Sequence, residues 1–320
     1  MSFSSDIKQE LARIETEKKC CMLAEIAGFV RMCGTVKLSG GGRVDLKIST
    51  ENPAIARLFL KRIKVYFGVG ADLAIGQSAL SKKGHVYELT IGTEDKSEQI
   101  LRETGILKVK EGCNYFPDEI SSDIIKTKCC RKAFLRGAFI GAGTISDPEK
   151  GYHLEIVANS ETLAQDLKRL INGFGLKAKV VARKQNYIVY LKEGEQISDL
   201  LAILGAHTHL LAFENVRIIK ELRNKTNRIV NCENANMDKT INSAARQIDD
   251  IRLIEKRRGL ATLPDKLAVV ARLRLAHPEA SLMELGELTE PPLKKSGINH
   301  RFRKIGEIAD QLRSSVPKEG

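Results

Sequence analysis

Between Lys294 and Lys304 the chain holds five basic side chains, Lys294, Lys295, Arg301, Arg303 and Lys304, and no acid. Ser296, Asn299 and His300 are interleaved with them. These residue types can grip a nucleic acid. Arg303 offers a planar fork that bonds guanine twice, and Asn299 a donor–acceptor pair that matches adenine. Lys294, Lys295, Arg301 and Lys304 suit phosphate oxygens, which supply most sequence-independent affinity. His300 either donates to a phosphate or simply sits at the surface. On a helix starting near Ser296, Ile298, Phe302, Ile305, Ala309 and Leu312 recur at i, i+4, i+7, i+11 and i+14, a single apolar stripe. Ser296, Asn299, His300 and Arg303 lie on the opposite face. A recognition helix needs this division between a packed rear and a polar front. The competing reading is a solvated basic helix.

The elements ahead of this stretch argue for the first reading. Ser281 and Glu284 form an S-x-x-E capping box, and Leu282, Leu285 and Leu288 give the following short helix one apolar side. Pro291–Pro292 enforces a turn. Short helix, turn and one-sided basic helix are the order of a helix-turn-helix. Upstream, Ile241, Ala244, Ile248 and Ile251 share a helical face, and basic residues before Gly259 suit the end of that helix. Leu263-Pro264-Asp265 opens another helix, carrying Leu267, Val270 and Ala271 and ending near His277-Pro278. Residues 214–236, rich in Asn and basic side chains, read as a helix followed by a tether.

Metal chemistry is not expected. The seven cysteines include the adjacent pairs Cys20–Cys21 and Cys129–Cys130, neither with C-x-x-C spacing, and the six histidines form no H-x-x-x-H. Reduced thiols in a cytosol are the expectation, with no metal and no cofactor. The net charge of +12 points to a polyanionic partner or to a generically basic protein. Aromatic content of 5% with no Trp disfavours base-stacking platforms for single strands. No apolar run is long enough to span a bilayer. The amino terminus, with Ser4 or Ser5 capping a short helix that bears Ile7, Leu11 and Ile14, is no secretory signal.

The larger part of the chain is duplicated. Lys19–Thr35 recurs as Lys128–Thr144, with identities at Lys19/Lys128, Cys20/Cys129, Cys21/Cys130, Ala24/Ala133, Gly28/Gly137, Gly34/Gly143 and Thr35/Thr144. Behind each motif come strand-like segments around a turn, Ser39–Gly42 in one copy and Asp147–Gly151 in the other, then a helix and more strand. The helices are expected at Asn52–Phe67 and Ser160–Phe174, and later strands at Val86–Ile91 and Tyr187–Leu191. Gly28 and Gly34, like Gly137 and Gly143, either let two motif helices approach closely about a pseudo-twofold axis or serve as helix C-caps.

The repeated AGFVRMCG and RGAFIGAG are similar to the motif of LAGLIDADG homing endonucleases. That resemblance covers about the first 215 residues. It implies two αββαββ halves joined through their motif helices, forming a saddle-shaped sheet over DNA. The family cleaves with a divalent metal held by the acid before the final glycine of each motif. Here those positions are Cys33 and Ala142, and the upstream Asp is replaced by Arg31 and Ile140. Hard cations need oxygen ligands, so no nuclease activity is expected. Asp147 lies in the turn and does not substitute. Lys177, Lys179 and Arg183 alternate along one strand-like segment and Lys82–Lys83 sit in a turn. They offer secondary DNA contacts or a solvated face.

The C-terminal stretch, with NVRIIKELRNKTNRIVNCENANMDKTINSAARQI before it, closely resembles WhiA proteins, and this resemblance spans essentially the whole chain. It implies a bacterial, nucleoid-associated protein of cell division and chromosome segregation, or in spore-forming actinobacteria a regulator of sporulation transcription. The expected fold class is α+β: a duplicated αββαββ domain followed by an all-α helix-turn-helix domain. The expected divisions are a first half at 1–105, a connector at 106–125, a second half at 126–213, a basic linker at 214–236 and a DNA-binding domain at 237–315. The expected function is double-stranded DNA binding in the cytoplasm, with no membrane partner. Alternatives are an interaction scaffold, whose LAGLIDADG-like part recruits another regulatory protein, and a residual nuclease.

Overall fold

The computed structural model describes residues 2–39, 43–77, 85–94 and 96–314. Two compact units divide the chain, Met1–Lys220 and Glu221–Gly320.

In the first unit α1 (Phe3–Leu11) is capped by Ser2, whose hydroxyl accepts from the Ser5 amide, so the cap precedes the Ser4 or Ser5 expected. Ile7 and Leu11 are buried beneath it. The first repeat follows as α2 (Lys19–Cys33), β1 (Gly34–Ser39), β2 (Arg43–Thr50), α3 (Pro53–Phe67), β3 (Asp72–Gln77) and β4 (His85–Ile91). Asn52 caps α3 through its side chain, and Gly68 ends it in the left-handed region at φ 71°. Alternating Val44, Leu46 and Ile48 on β2 bury one face of the sheet. Gly40–Gly42 and Lys82–Lys83 lie outside the described residues.

After α4 (Ser97–Glu103) comes a small hairpin, β5 (Lys108–Lys110) with β6 (Cys113–Tyr115). The second repeat is α5 (Lys128–Ala142), β7 (Gly143–Ile145), β8 (Leu154–Ala158), α6 (Glu161–Asn172), β9 (Lys179–Arg183) and β10 (Asn186–Leu191), closed by α7 (Gly194–Leu204). Ser160 caps α6 as its position suggests. The two antiparallel sheets have the same topology, β1-β2-β4-β3 and β7-β8-β10-β9.

The halves meet at α2 and α5, and glycine sets how closely. A Cβ built on Gly28 would stand 2.2 Å from the Phe134 carbonyl oxygen, and one on Gly137 would stand 2.1 Å from the Glu25 carbonyl oxygen. These contacts are each other's symmetry mates, since 25 and 28 become 134 and 137 at the offset of the repeat. Gly34 and Gly143 instead sit at the helix-to-strand joints, as extended C-caps. Both readings of the glycines therefore apply, one to each member of a pair.

From α7 the chain enters α8 (His207–Arg258), a helix of 52 residues within which the boundary of the two units falls. The tether expected within 214–236 is helical throughout. No Gly or Pro interrupts the chain from Glu214 to Arg258, so its Asn content alone does not break the helix. Gly259 at φ 80° ends α8, and a 3-10 turn at Leu260–Thr262 follows. The second unit is completed by α9 (Asp265–Ala276), α10 (Leu282–Glu287) and α11 (Lys295–Ser314). Its core joins Ile251 and Ile254 of α8 to Leu267, Val270 and Ala271 of α9, Leu285 of α10 and the whole apolar stripe of α11. No described helix is long and apolar enough to cross a membrane.

Candidate nucleic-acid interface

The front of α11 is positioned by what lies behind it. Ile298, Phe302, Ile305, Ala309 and Leu312 are all buried, so the stripe fixes the rotation of the helix. The Ser281–Glu284 capping box starts α10, with Ser281 Oγ accepting from the Glu284 amide and Glu284 accepting from the Ser281 amide. At the end of α10 the Leu293 amide donates to the Gly286 carbonyl at 2.9 Å. A Cβ on Gly286 would stand 2.1 Å from the Leu293 oxygen, so the turn into α11 requires glycine there. Thr289, buried beside it, donates its hydroxyl toward the Gly286 and Pro291 carbonyls.

Arg274 completes the support, and sequence reasoning missed it. It is only 2% exposed, and its guanidinium stacks over Phe302 at 5.3 Å. It donates to Gln247 Oε1 at 3.0 Å and to the carbonyls of His277, Pro278 and Ala280 past the end of α9. Burial pulls its pKa down, yet these acceptors hold it in place. Replacing it by Met strands those acceptors. Arg274→Met is expected to lower the stability of the second unit by about 3 kcal/mol, because each buried orphan costs about 1–3 kcal/mol. Chemical denaturation followed by circular dichroism would read this, and an unchanged midpoint would deny Arg274 the role.

With the rear fixed, Lys294, Lys295, Ser296, Asn299, His300, Arg303 and Lys304 are exposed. Arg301 is half-buried and donates to the Lys266 carbonyl at 3.2 Å, so it is partly committed to α9. Arg303 is held only loosely, with Nη2 3.4 Å from His300 Nδ1 and Nε 3.7 Å from Glu307. Asn299 and Arg303 line a groove shared with Ser243, Arg246 and Gln247 of α8. Lys239 of α8 borders a second cleft with Lys295. Arg246 and Lys239 extend the basic surface beyond α11. Their distance in sequence conceals this, although their spacing of seven puts them on one helical face.

In the first unit the positions that would hold a catalytic metal carry no oxygen ligand. Cys33 donates its thiol to the Phe29 carbonyl at 3.1 Å, and burial pushes its pKa up to about 12. The charge of Lys8, half-buried beside it, acts on this thiol and disfavours a second cation there. Ala142 brings no donor at all. Arg31 donates to the Gly105 carbonyl at 3.0 Å and to that of Pro117, clamping the connector, while Ile140 is buried. Asp147 serves its own turn by accepting from the Glu149 amide. Between the motif helices, buried Glu25 accepts from Thr16 at 2.7 Å and Arg136 at 3.0 Å, with Arg62 at 3.6 Å.

Read along the chain, Cys20–Cys21 and Cys129–Cys130 are repeat-related pairs, neither with C-x-x-C spacing. In space the helix pairing brings them together: Cys20, Cys21 and Cys130 have sulfurs within 4.8 Å of one another, and Cys129 lines the same cleft as Cys21. Hydrogen bonds from Thr127 and Cys21 lower the Cys129 thiol to about 7, whereas burial raises Cys21 and Cys130.

Lys179 and Arg183 stand exposed on β9, an edge strand, facing Tyr190 and Asn186 of β10 on the side away from the helices. Lys177 precedes the strand, exposed, with its amide bonded to Gln196. The corresponding face of the first sheet is mixed in charge, with Lys47 paired to Glu88 at 2.8 Å.

Three family models match the chain: the WhiA N-terminal LAGLIDADG-like domain over residues 19–107, the WhiA LAGLIDADG-like domain over 131–223 and the WhiA C-terminal HTH domain over 226–309. The chain is 49% identical over 313 residues to a "Probable cell division protein WhiA" from Alkaliphilus metalliredigens, covering 98% of this chain and 99% of the relative. It is 51% identical over 314 residues to a protein of the same name from Clostridium perfringens strain 13, again covering 98% and 99%. Its fold is similar to the crystal structure of full-length WhiA from Thermatoga maritima, with TM-score 0.60 and 26% identity, covering 97% of this chain and 99% of that one.

Proposed function

The chain belongs to the WhiA family, and on that premise we propose that it is a double-stranded-DNA-binding factor of bacterial cell division, gripping DNA through α11. One observation carries the reading: α11 exposes Lys295, Ser296, Asn299, His300, Arg303 and Lys304, with Lys294 exposed just before it, on a helix rotationally fixed by a fully buried stripe. Asn299 and Arg303 read base edges, while Lys294, Lys295, Arg301 and Lys304 neutralise phosphates. The reading extends to transcriptional regulation, nucleoid association in the cytoplasm and chromosome segregation, and among sporulating relatives to sporulation genes. Lys177, Lys179 and Arg183 add secondary phosphate contacts. The first unit cuts nothing, because Cys33 and Ala142 stand where acids would be needed.

A titration of duplex DNA over a range of salt concentrations tests this. Each phosphate contact contributes about 0.9 to the slope of log affinity against log salt, so Lys294→Ala with Lys295→Ala should flatten it by about 1.8. An unchanged slope would remove these lysines from the interface. Carried out with Mg²⁺ or Mn²⁺ present, the same titration should leave the duplex intact, and site-specific cleavage would overturn the non-enzymatic reading.

A second reading gives the first unit a protein partner. It is favoured by β3, an edge strand whose Leu73 and Ile75 are 49% and 61% exposed. Unpaired backbone beside apolar side chains is the chemistry of strand addition. In that case α11 anchors a scaffold.

A further inference from the structure

The four thiols at the start of the motif helices lie outside the DNA interface proposed on the second unit. Each repeat contributes one adjacent pair from the first turn of its motif helix, Cys20–Cys21 on α2 and Cys129–Cys130 on α5. Adjacent residues on a helix point about 100° apart, so one pair cannot close a tetrahedral site. Two pairs related by a pseudo-twofold axis can. Cys20, Cys21 and Cys130 bring their sulfurs together across the two helices, and Cys129, the fourth thiol of the two pairs, lines the same cleft as Cys21. The three sulfurs within 4.8 Å of one another need only small side-chain adjustments to reach the roughly 3.8 Å separation that tetrahedral bonds of about 2.3 Å to a metal impose.

Charge and access suit the same reading. Four thiolates around a divalent ion leave two excess negative charges. Lys18, Lys19, Lys128 and Lys132 stand in or beside the same helical turns, and Lys18 and Lys132 line the cleft next to Cys21 and Cys129. Both helix N-termini point their positive ends at the cluster, and neither first turn contains an acid. Cys21 and Cys130 are buried, while Cys20 and Cys129 are exposed, so the site is anchored inside and open to solvent.

We propose that Cys20, Cys21, Cys129 and Cys130 form a tetrathiolate site for a soft divalent cation of the Zn²⁺ class, tying together the N-terminal turns of the two motif helices. Binding replaces four S–H bonds by four metal–sulfur bonds and releases the protons to solvent, with no change in oxidation state. The duplication thus makes a metal site from two half-sites, in a domain whose motif acid positions carry no oxygen ligand.

The test uses the full chain, purified with reductant and without chelator, and titrated with Co²⁺ and then Zn²⁺. One equivalent of Co²⁺ is expected to bind with thiolate-to-metal charge-transfer absorption and the strong visible bands of tetrahedral coordination, and Zn²⁺ should abolish both. Cys20→Ser with Cys129→Ser changes only exposed thiols, so circular dichroism should remain native while affinity falls by about a hundredfold or more. Cys113→Ser with Cys232→Ser should leave the titration unaltered. The proposal is overturned by no stoichiometric uptake in the native chain, or by an unchanged spectrum in the Cys20/Cys129 variant. An iron–sulfur chromophore in the isolated protein, or a Cys20–Cys130 disulfide that persists in reductant, would also overturn it.

Discussion

Gly28→Ala combined with Gly137→Ala is expected to destabilise the first unit by about 3 kcal/mol or more, and with it the association of the two halves. The sign is the informative part. By helix propensity alone each substitution should stabilise by up to about 1 kcal/mol. Here the added methyl carbons would meet backbone oxygens at 2.2 and 2.1 Å, and a backbone oxygen cannot rotate away as a side chain can. The helices must separate, which opens the seam holding Ala24, Ala27, Phe134 and Ala138 and loosens Arg136 from Glu25. Gly70, with nothing within 4 Å of its virtual Cβ, supplies the control, and its change to Ala should be nearly neutral. Urea denaturation followed by far-ultraviolet circular dichroism distinguishes the outcomes. A double variant as stable as the parent would mean that the halves do not depend on this contact.

Asn299→Ala with Arg303→Ala should reduce affinity for the preferred DNA site by about a hundredfold or more, since each bidentate base contact contributes about 1–3 kcal/mol of discrimination. Binding to unrelated duplex should change much less, because Lys294, Lys295, Arg301 and Lys304 remain. The two effects together separate a base-reading face from a merely basic one. Neither side chain is buried, so folding should be spared. Arg303 gives up little on binding, because its pairing with Glu307 spans 3.7 Å between groups 70% and 63% exposed, and such pairs contribute at most about 1 kcal/mol. Competition binding with matched and scrambled duplexes would measure the ratio. If the double variant kept its preference for the site, the reading face would have to lie elsewhere, with Arg246 of α8 the nearest alternative.

Much of the site was legible before the fold was known. The buried stripe of α11 has a helical period that a strand could not satisfy, so its five apolar residues specify both the element and its inward face. The Ser281 capping box and the Ser160 cap are local, and local chemistry survives tertiary packing. The loss of Cys33 and Ala142 as metal ligands follows from their side chains alone. Features that depend on partners far along the chain were hidden. Arg274 reads as one more basic residue until the carbonyls beyond α9 are seen around it. Glu25 and Arg62 lie 37 residues apart, so no local pattern pairs them. The tether expected within 214–236 failed because a polar, Asn-rich composition disfavours helix only weakly, and no Gly or Pro was present to break it.

The fate of the cysteines marks the division most sharply. By itself the sequence determined the duplication, the two motif helices, the helix-turn-helix and the absence of the motif acids, because periodicity, capping and side-chain chemistry are properties of neighbouring residues. Only the tertiary structure decided which glycine of each pair joins the halves, which face of α8 stands beside α11, and that two adjacent thiol pairs make one cluster. The physical reason is the same in each case. A contact between residues 110 apart depends on how two helices approach, and that approach is set by the whole interface, where Gly28 and Gly137 let the backbones touch and bring Cys20 within reach of Cys130.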